Sequence, residues 1–158
     1  MAKVLIVYDS MYGNTEETAK SIGGAMGGDV TVLRASEASP SDLKSINILV
    51  VGSPTHAFRA TKPIQKFIRN IPRGALKGIG VAAFDTRMAA TEVGMGLRLL
   101  MKMGGYAAPR MANALKKKGG NLVVPPEGFF VKDKEGPLKE GELERAVNWA
   151  KAIVKSEK

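Results

Sequence analysis

The sequence predicts an α/β fold, a three-layer, doubly wound, five-stranded parallel sheet in the order 2-1-3-4-5 with helices on both faces. Three observations predict it. A continuously apolar, β-branched run at Val4-Leu5-Ile6-Val7-Tyr8 is followed by Ile46 to Val51, apolar almost throughout, and by Gly78 to Phe84, the mark of strands buried in a parallel sheet. Between them lie segments whose apolar residues fall at helical spacing. In this strand order the turns after strands one, three and four share one sheet edge, at residues 10 to 15, 53 to 60 and 85 to 90, beside the switch point where ligands bind.

The elements follow in order. Strand one covers residues 3 to 8 and leads through Ser10-Met11-Tyr12-Gly13-Asn14-Thr15 into a helix from about Thr15 to Met26. That helix carries Ala19, Ile22 and Met26 with Thr15 on one narrow face, and Gly27-Gly28-Asp29 marks the turn out of it. Val30 to Leu33 is a short second strand. Ser36 to Leu43 is a connection with room for one helical turn after Pro40-Ser41. The third strand, Ile46 to Val51, closes on Gly52-Ser53-Pro54-Thr55-His56. Thr61 as cap and Pro63 in the first turn start the next helix. Its core stripe is Ile64, Phe67, Ile68 and Ile71, with Lys62, Lys66 and Arg69 opposite.

Gly78 to Phe84 is strand four and ends at Asp85-Thr86-Arg87. Thr91 to Met103 has helical character but bears apolar residues on several faces, which fits core, a subunit contact or a lid, with a homodimer through residues 91 to 103 as the expected contact. A helix from about Ala108 to Lys118 follows Gly104-Gly105. Strand five, Asn121 to Val124, is interrupted by Pro125-Pro126-Glu127-Gly128 and has a continuation at Phe129 to Val131. The last helix, Glu142 to Val154, is expected to bury Leu143, Ala146, Val147, Ala150 and Val154.

At 158 residues, 44% hydrophobic and 25% charged, the chain has the size and composition of a single globular domain spanning 1 to 158. No apolar run reaches the roughly 18 residues of a membrane span, and the first strand begins too early for a leader, so a cytoplasmic protein without membrane contact is expected. With no cysteine there is no thiolate-held cluster, zinc knuckle or Cys nucleophile. The single histidine, His56, excludes multi-histidine metal sites, so redox or group-transfer chemistry needs a bound cofactor. The net charge is +9, and its excess is local. Residues 54 to 118 hold 13 Lys/Arg against 2 Asp/Glu, while residues 1 to 53 hold 4 against 6 and residues 119 to 158 hold 7 against 7. Such a balance invites an acidic partner; nucleic acid is disfavoured, because aromatics for stacking are few and no recognition motif is present.

The loop from Ser10 to Thr15 offers two hydroxyls, a glycine that lets the backbone approach closely, and the N–H groups at a helix start, which together suit a phosphate. A Walker loop needs Gly-Lys-Ser/Thr, and Lys20-Ser21 follows Ala19 deep inside the helix, so a nucleoside triphosphate is disfavoured. The bland alternative is a capping box, with Asn14 as cap and Glu17 three residues on.

Ser10-Met11-Tyr12-Gly13-Asn14-Thr15 after the first strand resembles the phosphate loop of flavodoxins. Gly52-Ser53-Pro54-Thr55 is similar to their second flavin loop, and Phe84-Asp85-Thr86-Arg87 resembles the third. The likeness covers nearly the whole chain. It implies a flavodoxin-like fold and non-covalent FMN, with the protein passing electrons between partner redox proteins, and the basic middle segment adds the expectation that these carry an acidic docking surface. It implies that Ser10, Met11, Tyr12, Gly13, Asn14 and Thr15 hold the phosphate, while Pro54, Thr55, His56, Ala57, Phe58, Asp85, Thr86 and Arg87 meet the flavin. Asp85 and Thr86 would act through their backbone amides. His56 or Phe58 would lie beside the ring, or His56 is an ordinary surface residue. Arg87 would reach a flavin carbonyl or be solvated, and Phe84 belongs to the core.

Three departures accompany the resemblance. Compact flavodoxins usually place Trp in the second loop and Tyr in the third, whereas here the single Trp149 lies in the last helix and only Tyr106 could return to the ring. Flavodoxins are typically acidic, and this chain is basic around the second and third loops. The stretch from Met88 to Tyr106 is longer than their third loop. Two rivals share the observations: a flavodoxin-fold NAD(P)H:quinone reductase of the tryptophan-repressor-binding-protein type, similar in its Ser-Met-Tyr-Gly, and a flavin-free binding module that uses the basic middle segment.

Overall fold

In the computed structural model, which describes residues 2–56, 59–88 and 106–156, the apolar runs form one parallel sheet. Its strands are β1 (Lys3–Tyr8), β2 (Asp29–Arg34), β3 (Ile48–Pro54), β4 (Gly80–Met88), β5 (Asn121–Leu122) and β6 (Glu127–Val131). The order is β2-β1-β3-β4-β5, as the alternation of strands and helices predicts, and β6 pairs with β4 beyond β5. The fifth place is thus shared by two short pieces. Pro125 and Pro126 supply no N–H to a ladder, so the strand breaks there and resumes one step further along β4.

The helices are α1 (Asn14–Met26), α2 (Lys62–Asn70), α3 (Ala107–Lys117) and α4 (Glu142–Ser156). Because strand side chains alternate, the sheet has two buried faces. One face packs Leu5, Val7, Leu49, Val51 and Val81 against Ile64, Phe67, Ile68 and Ile71 of the α2 segment and Met111 and Leu115 of α3. The other packs Val4, Ile6, Ile48, Val50 and Phe84 against Ala19, Ile22 and Met26 of α1 and Ala146, Trp149 and Ile153 of α4. Lys62, Lys66 and Arg69 face solvent, as their spacing predicts.

Local departures have physical causes. Strands β3 and β4 run past their expected ends, so Ser53, Pro54 and residues 85 to 88 are strand, not turn; each is paired, Ser53 with Asp85 and Asp85 with Gly128. A short 3-10 turn at Pro40–Leu43 is joined by a second, Ala35–Glu37, that the sequence did not announce. Thr61 is the cap position of α2, but its hydroxyl is buried without a partner, and its N–H instead donates to Ser53 Oγ at 3.0 Å. In α4 the buried face is Ala146, Trp149, Ala150 and Ile153, with Leu143, Val147 and Val154 only half-buried. The cause is Trp149, whose ring stacks edge-on against Phe84 (5.9 Å between centroids) and Phe129 (6.1 Å) and turns the helix toward that pair. Phe84 is core, as expected, and Trp149 is its neighbour there. The stretch 91 to 103, with its core, dimer or lid expectation, and the expected helix across it lie outside the described residues.

Candidate functional site

The carboxyl ends of β1, β3 and β4 converge on the turn between β1 and α1. Gly13 takes φ +92° there, a left-handed conformation that favours glycine, and its N–H donates to Ser10 Oγ at 3.0 Å. Gly13 is the cap of α1, and no side chain caps the helix. The capping box of Asn14 and Glu17 is therefore not formed; the Glu17 N–H takes Gly13 O at 3.0 Å, one helical bond in. Asn14 instead donates from Nδ2 to Glu135 O at 3.2 Å, which ties the turn to the connection after β6. The helix start so keeps first-turn N–H groups for a ligand.

Thr15 is 1% exposed, and its Oγ1 lies 2.8 Å from Thr86 Oγ1 on β4. A pair of hydroxyls sharing one hydrogen bond has two protons, so one O–H remains to donate into the cavity beside it. Arg34, at the end of β2, braces the turn from outside: its Nη1 donates to Ser10 O at 3.0 Å and meets Asp9 Oδ1 at 3.4 Å, with the guanidinium 5.2 Å from the Tyr8 ring centroid.

At the second loop the Thr55 N–H donates to Thr86 O at 3.0 Å, and Thr55 Oγ1 accepts the Ala107 N–H at 3.0 Å. His56 is exposed and pairs through its backbone with Arg59. Ala57 and Phe58 lie outside the described residues.

Below the rim sits Asp85, fully buried, with Arg87 Nε at 2.6 Å and Nη2 at 2.8 Å on its two oxygens and the Ala108 N–H at 2.8 Å. Burial pushes its carboxyl up, while Arg87, the Ala108 N–H and the Thr55 hydroxyl act against that. The Arg87 guanidinium lies 3.6 Å from the Tyr106 ring centroid, and the Tyr106 hydroxyl donates to Met88 O at 3.2 Å. Arg87 is thus neither solvated nor loose, and the ring of Tyr106 is already covered by it. The backbone of Asp85 and Thr86 sits in the ladder between β3 and β6, so this strand meets the cavity through the side chains of Thr86, Arg87 and Met88.

These residues enclose a cavity of ≈ 100 Å³. From the first turn it takes Ser10, Met11, Tyr12, Asn14 and Thr15; from the second, Pro54, Thr55 and His56; from β4, Thr86 and Arg87. Gly13 shapes the turn without lining the cavity, and Asp85 lies beneath. Met88, Val131 and Lys134 complete the lining and were not singled out from the sequence. For Lys134 the only signal was the short charge cluster from Lys132 to Glu135; for Arg34 and Val131 there was none, since their approach depends on how β2 and β6 align. Among the described residues no carboxylate lines the cavity, and Lys134 and Arg87 are its cations. About three water volumes fit, at roughly 30 Å³ each, far below the ~300 Å³ or more of a site that swallows a drug-sized ligand. The spare hydroxyl proton, the uncapped helix start and the acid-free lining fit a phosphate end. Met11 (51% exposed) and Tyr12 (44%) are the large apolar side chains that stand open among the described residues, and both border this cavity.

Among the described residues no group of three or more His, Cys, Asp or Glu could hold a metal ion, and no helix is long and apolar enough to cross a membrane.

The sequence model of the family described as "Flavodoxin domain" matches residues 5–130. No curated protein matches the chain in sequence. Among solved structures, oxidised flavodoxin 1 from Bacillus cereus is similar with a TM-score of 0.76 at 19% identity, over 98% of both chains. A flavodoxin from the domain Archaea gives 0.73 at 22%, over 99% of both. Rubredoxin oxygen:oxidoreductase from Desulfovibrio gigas gives 0.74 at 21%, with 98% of this chain covering 35% of that one.

Proposed function

Because the chain belongs to the flavodoxin family, we propose that it binds FMN and carries electrons between partner redox proteins in the cytoplasm, acting as one domain. Bound FMN would supply the redox chemistry; the protein sets where it sits, its field and what can approach it. The observation that carries this reading is the Thr15–Thr86 hydroxyl pair beside an uncapped helix start in a small cavity with no carboxylate among its described lining residues. Ser10, Thr15, Thr86 and the first-turn N–H groups of α1 would hold the phosphate, with Lys134 beside it. The apolar sides of Met11 and Tyr12, exposed at the cavity's edge, are surfaces a flavin or a docking partner would cover. Arg87, held by Asp85 and Tyr106, would place a fixed positive charge at the rim.

Redox partners are proposed on the same grounds, with acidic docking surfaces to match the basic segment 54–118. The test loads the pure protein with FMN, reduces it anaerobically, and mixes it with a one-electron haem acceptor in a stopped-flow instrument. Rapid oxidation of the bound flavin without NADH consumption is expected. Steady consumption of NADH with a quinone would instead make the protein a quinone reductase.

A further inference from the structure

We propose that the groove between α2 and α3 is a docking site for an acidic amphipathic helix of a partner protein. The two helices lie on the same face of the sheet, and the groove between them measures ≈ 450 Å³. Its floor is aliphatic: Ala60, Ile68, Met111 and Ala114. Its rim is cationic on both sides, with Arg59 just before α2 and Arg69 on it, and Arg110, Lys117 and Lys118 along α3; Gln65 of α2 is its one neutral polar lining residue among the described residues. Among the described residues no carboxylate lines it and none of these five cations joins an ion pair. On the other flank of α2 a second groove, of ≈ 740 Å³, is lined by the cations Lys62, Lys66 and Arg69 and, among the described residues, by no acid.

Helix dipoles account for part of this charge and not for the rest. Arg69, Lys117 and Lys118 stand at helix carboxyl ends, where cations are favourable. Lys62 at the first position of α2 and Arg110 in the first turn of α3 stand at the opposite ends, where a cation is unfavourable, and neither first turn contains an acid. Charge placed against the dipole and left unpaired inside the protein is charge available to an outside anion.

The floor and length choose among anions. An aliphatic floor between two cationic rims matches a helix with an apolar stripe flanked by carboxylates. The eleven residues of α3 span about 16 Å, which accommodates about three turns of such a helix. A single-stranded nucleic acid would want aromatic platforms, and the floor has none. A membrane surface would want apolar side chains projecting outward, and here they are recessed between the helices. One end of the groove abuts the candidate site, since Arg59 pairs through its backbone with His56 and Ala107 of α3 bonds Thr55. The inference rests on the proposed function only in taking this partner to be a redox protein.

The test uses the whole protein and fluorescence anisotropy of a labelled three-turn peptide with leucines at i, i+3, i+4 and i+7 and glutamates elsewhere. A scrambled peptide of the same composition, a single-stranded oligonucleotide and phosphatidylserine vesicles serve as comparisons. The amphipathic peptide is expected to bind about tenfold more tightly than the scrambled one and to weaken with salt. In R110E/K117E its affinity should fall by about tenfold or more, with the circular dichroism spectrum unchanged. Ala114→Glu, which fills the floor, should do the same. Equal binding of the scrambled peptide, an unaffected R110E/K117E variant, or preference for the oligonucleotide or the vesicles would overturn the proposal. FMN uptake is measured on the same samples: its failure with peptide binding intact defeats the flavin reading alone, and the reverse defeats the groove alone.

Discussion

Two carboxylates with hydrogen-bonded arginines, Asp85 beneath the candidate site and Glu142 on α4, decide what single substitutions do. Asp85 and Arg87 form a two-bonded pair at 2.6 and 2.8 Å with the carboxylate fully buried. Removing one charge strands the other, which costs about 3 kcal/mol or more. Asp85→Asn is therefore expected to lower the melting temperature by several degrees; a melt identical to the parent's would show the pair to be idle. The sequence placed Asp85 and Arg87 at the site and left the role of Arg87 open. That they bond each other follows from strand alternation, i and i+2 on one face, once residues 85 to 88 are known to be strand.

Glu142 gives a pH signature. Burial pushes its carboxyl up, but hydrogen bonds from Arg145 and from the Phe130 N–H at 2.7 Å outweigh that, and its pKa lies below the ordinary 4.5. A depressed carboxylate stabilises the fold above its unfolded value and loses that contribution as pH falls through the folded one. Acid unfolding should therefore steepen below pH 4.5. Glu142→Gln should be about 1 to 3 kcal/mol less stable at neutral pH and lose less on acidification, as denaturant melts across pH would record.

At the level of elements, the strands and helices were legible because both-face burial and helical stripes are strong patterns. Their ends were not. Where β3 and β4 stop depends on β6 arriving to pair with residues 84 to 88, a long-range event that no local propensity encodes. The buried face of α4 departs from its apolar pattern for the same kind of reason: Leu143, Val147 and Val154 are as apolar as the residues that are buried, and the aromatic pair Phe84 and Phe129 selects the side with Trp149. That packing reaches Gly52 on β3, where an added Cβ would lie 2.0 Å from the Phe84 ring. Gly52→Ala is expected to destabilise by about 1 to 3 kcal/mol or more, because the aromatic cluster must move. Chemical denaturation checks this, and a neutral result would show that Phe84 has room to turn. Gly52 read as part of a flavin loop in the sequence; its packing against Phe84 gives it a role in the core.

For the whole molecule, the excess behind the net charge of +9 falls in residues 54 to 118, the segment that includes the site's Arg87. A positive field favours the negative charge that a flavin gains on reduction, and salt screens such a field over about 10 Å at 0.1 M. The midpoint potential of bound FMN is expected to be less negative than that of an acidic flavodoxin and to fall as ionic strength rises. A midpoint as low as that of acidic relatives, and indifferent to salt, would show the field does not reach the ring. The order of the sheet was readable from the sequence because it follows from a repeated strand, turn and helix pattern, and that pattern also set the turn from Ser10 to Thr15 at the edge where the cavity lies. The ring end was less so: its expected contacts are spread over loops far apart in sequence, and Ala57 and Phe58 lie outside the described residues.

The central claim is that the turn from Ser10 to Thr15 seats the phosphate of FMN, and the most direct measurement compares FMN with riboflavin, which lacks that phosphate, by quenching of flavin fluorescence. The pure protein should take up one equivalent of FMN far more tightly than riboflavin. Thr15→Val should weaken FMN by about tenfold, the worth of a hydrogen bond to a charged group, and leave riboflavin unchanged. Equal affinity for the two flavins, or no uptake of either, would contradict the account.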